Sequence, residues 1–133
     1  MKYLLDRNIL SKKHIENVQR KSELCVTNDV AEESGLTKQE IARIQGEGVL
    51  ILKPSGMHFE KLKEVMATHG ANTRLINLYS GQGTADVVMI AYILAEQEAD
   101  KSLFPEKYII VTKDAELTSV ATSYGITCVS EID

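Results

Sequence analysis

The sequence predicts an α/β protein of three layers, α/β/α, with a mostly parallel central sheet of about five strands flanked by helices. Two observations carry this prediction. Short apolar runs alternate along the chain with amphipathic segments, which is typical of repeated βαβ units. The 133 residues are 44% hydrophobic and 26% charged and contain no repeat, linker or low-complexity tract, so residues 1–133 are assigned to a single domain.

Five apolar runs have the length and composition of buried strands. They are residues 2–6 (KYLLD), 24–27 (LCVT), 49–52 (VLIL), 108–112 (YIIVT) and 127–130 (TCVS). Residues 74–78 also look extended, but this run is too short to be counted as a strand. Cys25 and Cys128 each lie inside an apolar run, which favours buried thiols in a reducing compartment over a disulfide.

Segments between these runs predict the helices. They cover about 8–21, 28–35, a helix beginning at Thr37, about 55–69, 85–98 and 115–124. Thr37 and Glu40 form a capping-box pattern, and Ser55 is expected to cap the next helix. The apolar face of that helix is expected to include Phe59, Leu62, Val65 and Met66. The helix over 85–98 is the most apolar of the set.

Composition excludes several classes of function. A net charge of −4 argues against the broad basic surface of a DNA-binding module, but it leaves room for an enzyme that meets nucleic acid through bound cations. Aromatic residues make up 5% and Trp is absent, so a stacking platform for single strands is also poorly supplied. No apolar run approaches the ~20 residues of a membrane span, and the start of the chain lacks the pattern of a secretory signal. We therefore expect a cytoplasmic protein without a membrane partner.

Acidic residues follow four of the predicted strands. Asp6 ends the first strand, Glu32 and Glu33 lie in the helix after the second, Asp86 opens the apolar helix, and Asp114 follows the fourth strand. Ligands of open parallel sheets bind outside the carboxyl ends of the strands, where such residues would meet. Converging carboxylates repel one another, and Mg²⁺ or Mn²⁺ would remove that conflict. Taken singly, Asp114 is better explained as a helix cap, and Asp86 and the Glu32/Glu33 pair as solvated surface. Asp6 is more informative, because it directly follows an apolar run with no turn residue between.

Four segments in order resemble the motifs of the PIN domain family. They are Leu5-Asp6-Arg7-Asn8-Ile9-Leu10, the segment 27–33 (TNDVAEE), the segment 83–91 (GTADVVMIA) and the segment 109–114 (IIVTKD) with 124–129 (YGITCV) downstream. The likeness covers essentially the whole chain. By the family's spacing the second acidic residue is Glu33, with Glu32 as the alternative.

The resemblance implies a metal-dependent endoribonuclease. Asp6, Glu33, Asp86 and Asp114 would hold one or two Mg²⁺ or Mn²⁺ ions, and Asn8 and Thr112 would orient the carboxylates or the substrate. Arg7, Lys12, Lys13 and Lys113 would contact RNA phosphates. Small members of the family resemble the toxins of bacterial toxin–antitoxin pairs, so an inhibitor protein and a homodimer are further expected partners.

The chain departs from the family pattern at two places. Arg7 stands where the family has a small hydroxyl residue, and residues 96–107 add helix or loop between Asp86 and Asp114. Arg7 supports an alternative in which a guanidinium displaces the metal and the protein is a non-catalytic PIN-fold scaffold. A haloacid-dehalogenase-like phosphatase is a weaker alternative, because Asn8 stands where that family has its general acid.

Two further groups of residues have no place in this site. The histidines at 14, 58 and 69 lack the spacing of metal ligands and are expected on the surface or on a helix face. Leu36, Met57 and Leu103 are expected at exposed positions and indicate a surface that could contact a second copy or an inhibitor.

Overall fold

Five parallel strands form one sheet in the part of the chain that this computed structural model describes, residues 1–7, 23–68 and 85–131. The strands are β1 (Lys2–Leu5), β2 (Leu24–Thr27), β3 (Leu50–Leu52), β4 (Tyr108–Val111) and β5 (Thr127–Val129). Their order across the sheet is β3-β2-β1-β4-β5, and every neighbouring pair is parallel. The predicted sheet is therefore confirmed.

Five helices accompany the sheet within the described residues and complete the predicted three-layer fold. They are α1 (Asn28–Glu33), α2 (Lys38–Gly46), α3 (Gly56–Thr68), α4 (Ala85–Ala99) and α5 (Ala115–Ser123). The capping box at α2 is present: Thr37 Oγ1 accepts from the Glu40 backbone N at 3.1 Å, and Glu40 Oε1 accepts from the Thr37 backbone N at 3.2 Å. The helix predicted over 8–21, the extended run at 74–78, Asn8 and Lys12 lie outside the described residues.

The core lies on both faces of the central strands and around α4. Leu4, Val26 and Ile110, from the three central strands, are fully buried. The helix α4 is buried on most of its circumference, and for this reason its sequence is apolar on every side instead of amphipathic. No helix within residues 1–7, 23–68 and 85–131 has the length and apolar character needed to cross a bilayer.

The inward face of α3 differs from the prediction. Phe59 was placed on the apolar face but is 50% exposed, whereas the neighbouring His58 is buried and 5% exposed. Val65 is buried as predicted. A buried histidine is stable here because both of its ring nitrogens have polar partners, described below. Cys25 and Cys128 are free thiols, the first buried and the second partly buried.

The order of the strands reverses direction at β1. From β1 the chain proceeds to β2 and β3 on one side, and later to β4 and β5 on the other. The crevice between β1 and β4, at their carboxyl ends, is the position where open α/β sheets bind ligands.

Candidate active site

Asp6 and Thr112 lie at the carboxyl ends of β1 and β4, on either side of this crevice. Both side chains are buried, with Asp6 4% exposed. Thr112 Oγ1 donates to Asp6 Oδ2 at 2.7 Å, and the Arg7 backbone N donates to Asp6 Oδ1 at 2.8 Å. A backbone bond from Asp6 N to Val111 O extends the pairing of the two strands by one residue. The Asp6 carboxylate is therefore held in one orientation by donors from both sides.

Asp114 connects this pair to α5. Its Oδ1 caps the helix by accepting from the backbone N of Glu116 at 2.9 Å and of Leu117 at 3.2 Å. Its own backbone N donates to Thr112 Oγ1 at 3.0 Å. The helix cap, which is the structural alternative to a metal-binding role for Asp114, is thus present. Both capping bonds end on Oδ1, so the cap does not occupy Oδ2.

Asp86 lies in the first turn of α4 and is 6% exposed. The pKa of Asp86 is raised to about 7, mainly by burial and in addition by the negative charges of Asp6, Asp114 and Glu33. The positive charge of Arg7 acts in the opposite sense. Four acidic residues that are distant in sequence therefore share one electrostatic environment, as the strand-end positions predict.

Glu33 and its neighbour Glu32 can be distinguished by their contacts. Glu32 Oε1 accepts from Asn28 Nδ2 at 3.2 Å, one turn back along α1. Glu33 is the one of the two whose charge acts on Asp86. Its side chain is exposed, unlike Asp6 and Asp86. Of the two alternatives left open by the sequence, Glu33 is therefore the member nearer the site.

Basic residues flank the buried acids. Arg7 follows Asp6 and Lys113 lies between Thr112 and Asp114, and both side chains are exposed. These positions place positive charge at the mouth of the crevice and leave its interior acidic.

The donor set suits a hard divalent cation, although its ligands are not preassembled. Carboxylate oxygens are the ligands that Mg²⁺ and Mn²⁺ prefer, and the pKa of Asp86 is raised by burial and by the charges of the other acids. Within the described residues, no three His, Cys, Asp or Glu side chains are close enough together to hold a metal ion as they stand. Glu33 is exposed, whereas Asp6 is buried and fixed by its hydrogen bonds.

A second polar cluster joins α3 to α4, and the sequence indicated only the position of Ser55 at the start of α3. His58 Nε2 lies 2.8 Å from Glu96 Oε1, and its ring stacks on that of Tyr92 with centroids 4.0 Å apart. His58 Nδ1 accepts from the Ser55 backbone N at 2.8 Å, and Ser55 Oγ lies 3.2 Å away. Because a backbone N–H already occupies the Nδ1 lone pair, His58 cannot act as a base toward Ser55. The cluster is a cap and a helix–helix contact instead of a nucleophilic triad.

Comparison with known proteins gave no relative: no family model, no curated protein and no solved structure matches this chain.

Proposed function

We propose that this protein is a metal-dependent endoribonuclease of the PIN type, which hydrolyses RNA phosphodiester bonds at the crevice between β1 and β4. The observation that carries the proposal is the buried carboxylate of Asp86, whose pKa is raised to about 7 by burial and, after that, by the negative charges of Asp6, Asp114 and Glu33. Strongly perturbed carboxyl groups in a cleft are characteristic of functional sites. The four sequence motifs that resemble the family supply the same four residues.

Asp6, Glu33, Asp86 and Asp114 would hold one or two Mg²⁺ or Mn²⁺ ions. A bound ion of this kind activates a water molecule and neutralises charge that develops on the scissile phosphate and the leaving oxygen. Asp6 would supply the fixed carboxylate, since Thr112 and the Arg7 backbone N already orient it. Asp86 would be the acid that is still partly protonated at neutral pH, because its pKa is raised to about 7, and it would lose that proton when a cation binds.

Arg7 and Lys113 would position the substrate. Their side chains are exposed at the mouth of the crevice, where they can contact phosphates of the RNA backbone on either side of the cleaved bond. The acids inside the crevice would then act on the reacting phosphate. Arg7 and Lys113 at its rim would compensate for the overall negative charge of the chain. This division predicts that rim substitutions weaken RNA binding more than they slow the chemical step.

The decisive experiment measures cleavage of a single-stranded RNA with Mn²⁺ or Mg²⁺ present and after removal of the ion with EDTA. We expect cleavage only with the ion. Asp6→Asn and Asp86→Asn should each lower the rate by at least about a hundred-fold, because several kcal/mol of charge stabilisation depend on the ion. Full activity in EDTA, or in both variants, would contradict the proposal.

A neighbouring pair of glutamates provides a matched control. Glu33→Gln should reduce cleavage and Mn²⁺ binding, whereas Glu32→Gln should leave both unchanged, since Glu32 is bonded to Asn28. Both side chains are exposed, so neither substitution disturbs the core. Calorimetric titration with Mn²⁺ separates an enzyme from a scaffold: a folded protein that binds no Mn²⁺ would favour the non-catalytic alternative.

The role as a toxin follows from the family resemblance and has its own test. Expression of the chain alone should arrest growth of a bacterial host, and Asp86→Asn should relieve the arrest at the same level of expression. A host that grows normally with an active enzyme would instead favour RNA processing.

A further inference from the structure

The loop between α4 and β4, residues 100–107, carries the most exposed large apolar side chains of the described residues. Leu103 and Phe104 are adjacent in sequence and each is 87% exposed, compared with 50% for Phe59 on α3. Single apolar residues at a surface are ordinary, but two neighbours exposed to this degree are characteristic of a contact surface. The tip of this loop is therefore a candidate for a contact with something outside the chain.

Hydrogen bonds at the base of the loop fix its shape. Asp100 Oδ1 accepts from the backbone N and the hydroxyl of Ser102, at 2.9 and 2.6 Å, and Asp100 Oδ2 accepts from the Glu106 backbone N at 3.0 Å. These bonds close the loop on either side of Leu103 and Phe104. Because the loop is closed before any contact forms, little conformational entropy remains to be lost when its tip is buried.

Three acids lie in or beside the loop, and each is engaged within the chain. Asp100 accepts the three hydrogen bonds at the base of the loop. The Glu106 side chain pairs with the amino group of Met1 at 3.0 Å. Glu98, at the end of α4, forms an ion pair with Lys61 of α3. The negative charges near the tip are therefore already matched by donors or cations of the same chain.

The lysines that flank the tip differ from these acids. Lys101 and Lys107 are exposed, and neither forms an ion pair with an acid of residues 1–7, 23–68 and 85–131. The pKa of Glu98 is lowered mainly by its hydrogen bond with Lys61, and Lys101 is a minor cause. The loop therefore presents an apolar tip between two positive charges that the described part of the chain does not pair.

We propose that the loop 100–107 docks on the surface of a lipid bilayer with anionic headgroups. Leu103 and Phe104 enter the boundary between headgroups and acyl chains, and Lys101 and Lys107 contact the lipid phosphates. Burial of apolar side chains and attraction to anionic lipids add to one another at such an interface. A bilayer accommodates a projecting tip of any shape, whereas a protein partner requires a pocket of matching shape. The apolar tip and the two flanking cations therefore favour lipid as the occupant.

The place of the loop in the fold is compatible with this contact. The loop leads into the amino end of β4, whereas Asp6 and Asp114 follow the carboxyl ends of β1 and β4. The four residues of β4 span about 13 Å, which exceeds the screening length of about 8 Å at physiological salt. The acids of the crevice therefore repel an anionic surface only weakly, and docking leaves the crevice open.

The proposal is independent of the proposed nuclease activity, because no residue of the loop belongs to the candidate active site. Docking on a bilayer surface requires neither a membrane span nor a secretory signal. The expectation of no membrane partner depended on those two features of the sequence, so the loop adds a contact that they do not detect.

The test is co-sedimentation of the full chain with vesicles of phosphatidylcholine alone and with vesicles in which phosphatidylglycerol replaces half of it. The wild-type protein should bind the anionic vesicles more tightly than the neutral ones, and added salt should weaken this binding. Phe104→Ser should weaken binding to the anionic vesicles by about fivefold or more, because the apolar area that enters the lipid is reduced. The matched control is Phe59→Ser, the same change at a half-exposed position on α3, which should leave binding unchanged. Circular dichroism establishes that each variant is folded.

A second pair of variants tests the contribution of charge. The double substitution Lys101→Gln and Lys107→Gln should weaken binding to the anionic vesicles by about thirty-fold, as expected for two lysines at an anionic surface. The matched control replaces Lys53 and Lys113 by Gln, since both are exposed and follow the carboxyl ends of β3 and β4. This control should bind as the wild type does.

Three outcomes would overturn the proposal. The first is a wild-type protein that binds neither kind of vesicle, including one whose Phe104 instead mediates a contact with protein. The second is a Phe104→Ser variant that binds the anionic vesicles as tightly as the wild type. The third is an equal loss of binding in the two lysine pairs, since attraction to lipid would then not depend on the loop.

Discussion

The two ends of α4 each carry an aspartate, and the pKa values of these two carboxyl groups are displaced in opposite directions. Asp86 lies in the first turn, where the helix dipole favours a negative charge, yet its pKa is raised to about 7. Asp100 follows the last residue of the helix, where the dipole disfavours a negative charge, yet its pKa is lowered by hydrogen bonds from Ser102 and Glu106.

This comparison ranks the electrostatic effects at the two ends. A helix dipole contributes about 0.3–1 kcal/mol, and at both ends the closer groups outweigh it. Burial and three nearby carboxylates act on Asp86, whereas direct donors satisfy Asp100 in solvent. The acid with the raised pKa belongs to the candidate active site, and the acid with the lowered pKa builds a loop. The sign of the pKa displacement therefore separates an acid with a site role from one with a structural role.

Asp86→Asn is expected to produce the largest change in stability of the metal-free protein. Because folding raises the pKa of Asp86, the folded state binds this proton more tightly than the unfolded state, whose pKa is about 3.9. The contribution of Asp86 to stability is therefore greatest below pH ~4, declines as the pH rises to about 7, and is constant above that. At pH 8 in EDTA the free energy of unfolding of the variant should exceed that of the wild type by on the order of 2 kcal/mol. This value is smaller than the full pKa displacement of Asp86 would give, because Glu33 is exposed and solvent screens its charge.

The measurement is chemical denaturation of both proteins at pH 4 and pH 8. The stability difference should be large at pH 8 and small at pH 4, and Mn²⁺ should stabilise the wild type but not the variant. Asp29→Asn, which changes an aspartate in the first turn of α1, is the control and should show no such dependence on pH. An Asp86→Asn variant less stable than the wild type at pH 8 would contradict the electrostatic account of the site.

Thr112→Val should have the next largest effect, in the opposite direction. The substitution retains the β-branched shape in a buried strand end but removes the hydroxyl that bonds Asp6 and Asp114. Two buried polar groups lose a partner, and we expect a loss of about 1–3 kcal/mol in the free energy of unfolding, with reduced RNA cleavage. Thr127→Val, at an exposed position of β5, should change stability by less than about 0.5 kcal/mol. Equal effects of the two substitutions would exclude a special role for Thr112.

Local patterns predicted most of the described fold. The alternation of apolar runs and helical segments located all five strands, and Thr37 with Glu40 identified the start of α2. The predicted inward face of α3 was wrong by one residue. Phe59 has helical spacing with Leu62 and Val65, but His58 is buried in its place. Ser55 and His58 have the spacing of a capping box, and this local signal was available. The contact with Glu96 was not, because it depends on a pair 38 residues apart.

The sequence predicted the positions of the site's acids better than their environments. Asp6 and Asp114 follow strands that lie side by side, and parallel topology is enough to bring them together. The choice between Glu32 and Glu33 depends on which one bonds to Asn28, a side-chain contact that spacing does not determine. The opposite pKa displacements of Asp86 and Asp100 likewise depend on tertiary contacts, which the sequence does not determine. Both are aspartates at a helix end, and only their neighbours distinguish them.

The substitution Asp100→Ala is expected to have the smallest effect on global stability, and a local one. Removing the carboxylate deletes three hydrogen bonds, so the amides of Ser102 and Glu106 should exchange with solvent faster than in the wild type. Because the pKa of Asp100 is lowered, its stabilising contribution is present above the unfolded pKa and is lost as the pH falls through the folded pKa. The difference between variant and wild type should therefore disappear in acid, opposite to the pH dependence at Asp86.

Hydrogen exchange of the loop amides, with Asp29→Ala as the control, tests this expectation directly. Unchanged exchange at both amides would show that the bonds from Asp100 do not maintain the loop. The contrast between the two ends of α4 would then depend on Asp86 alone.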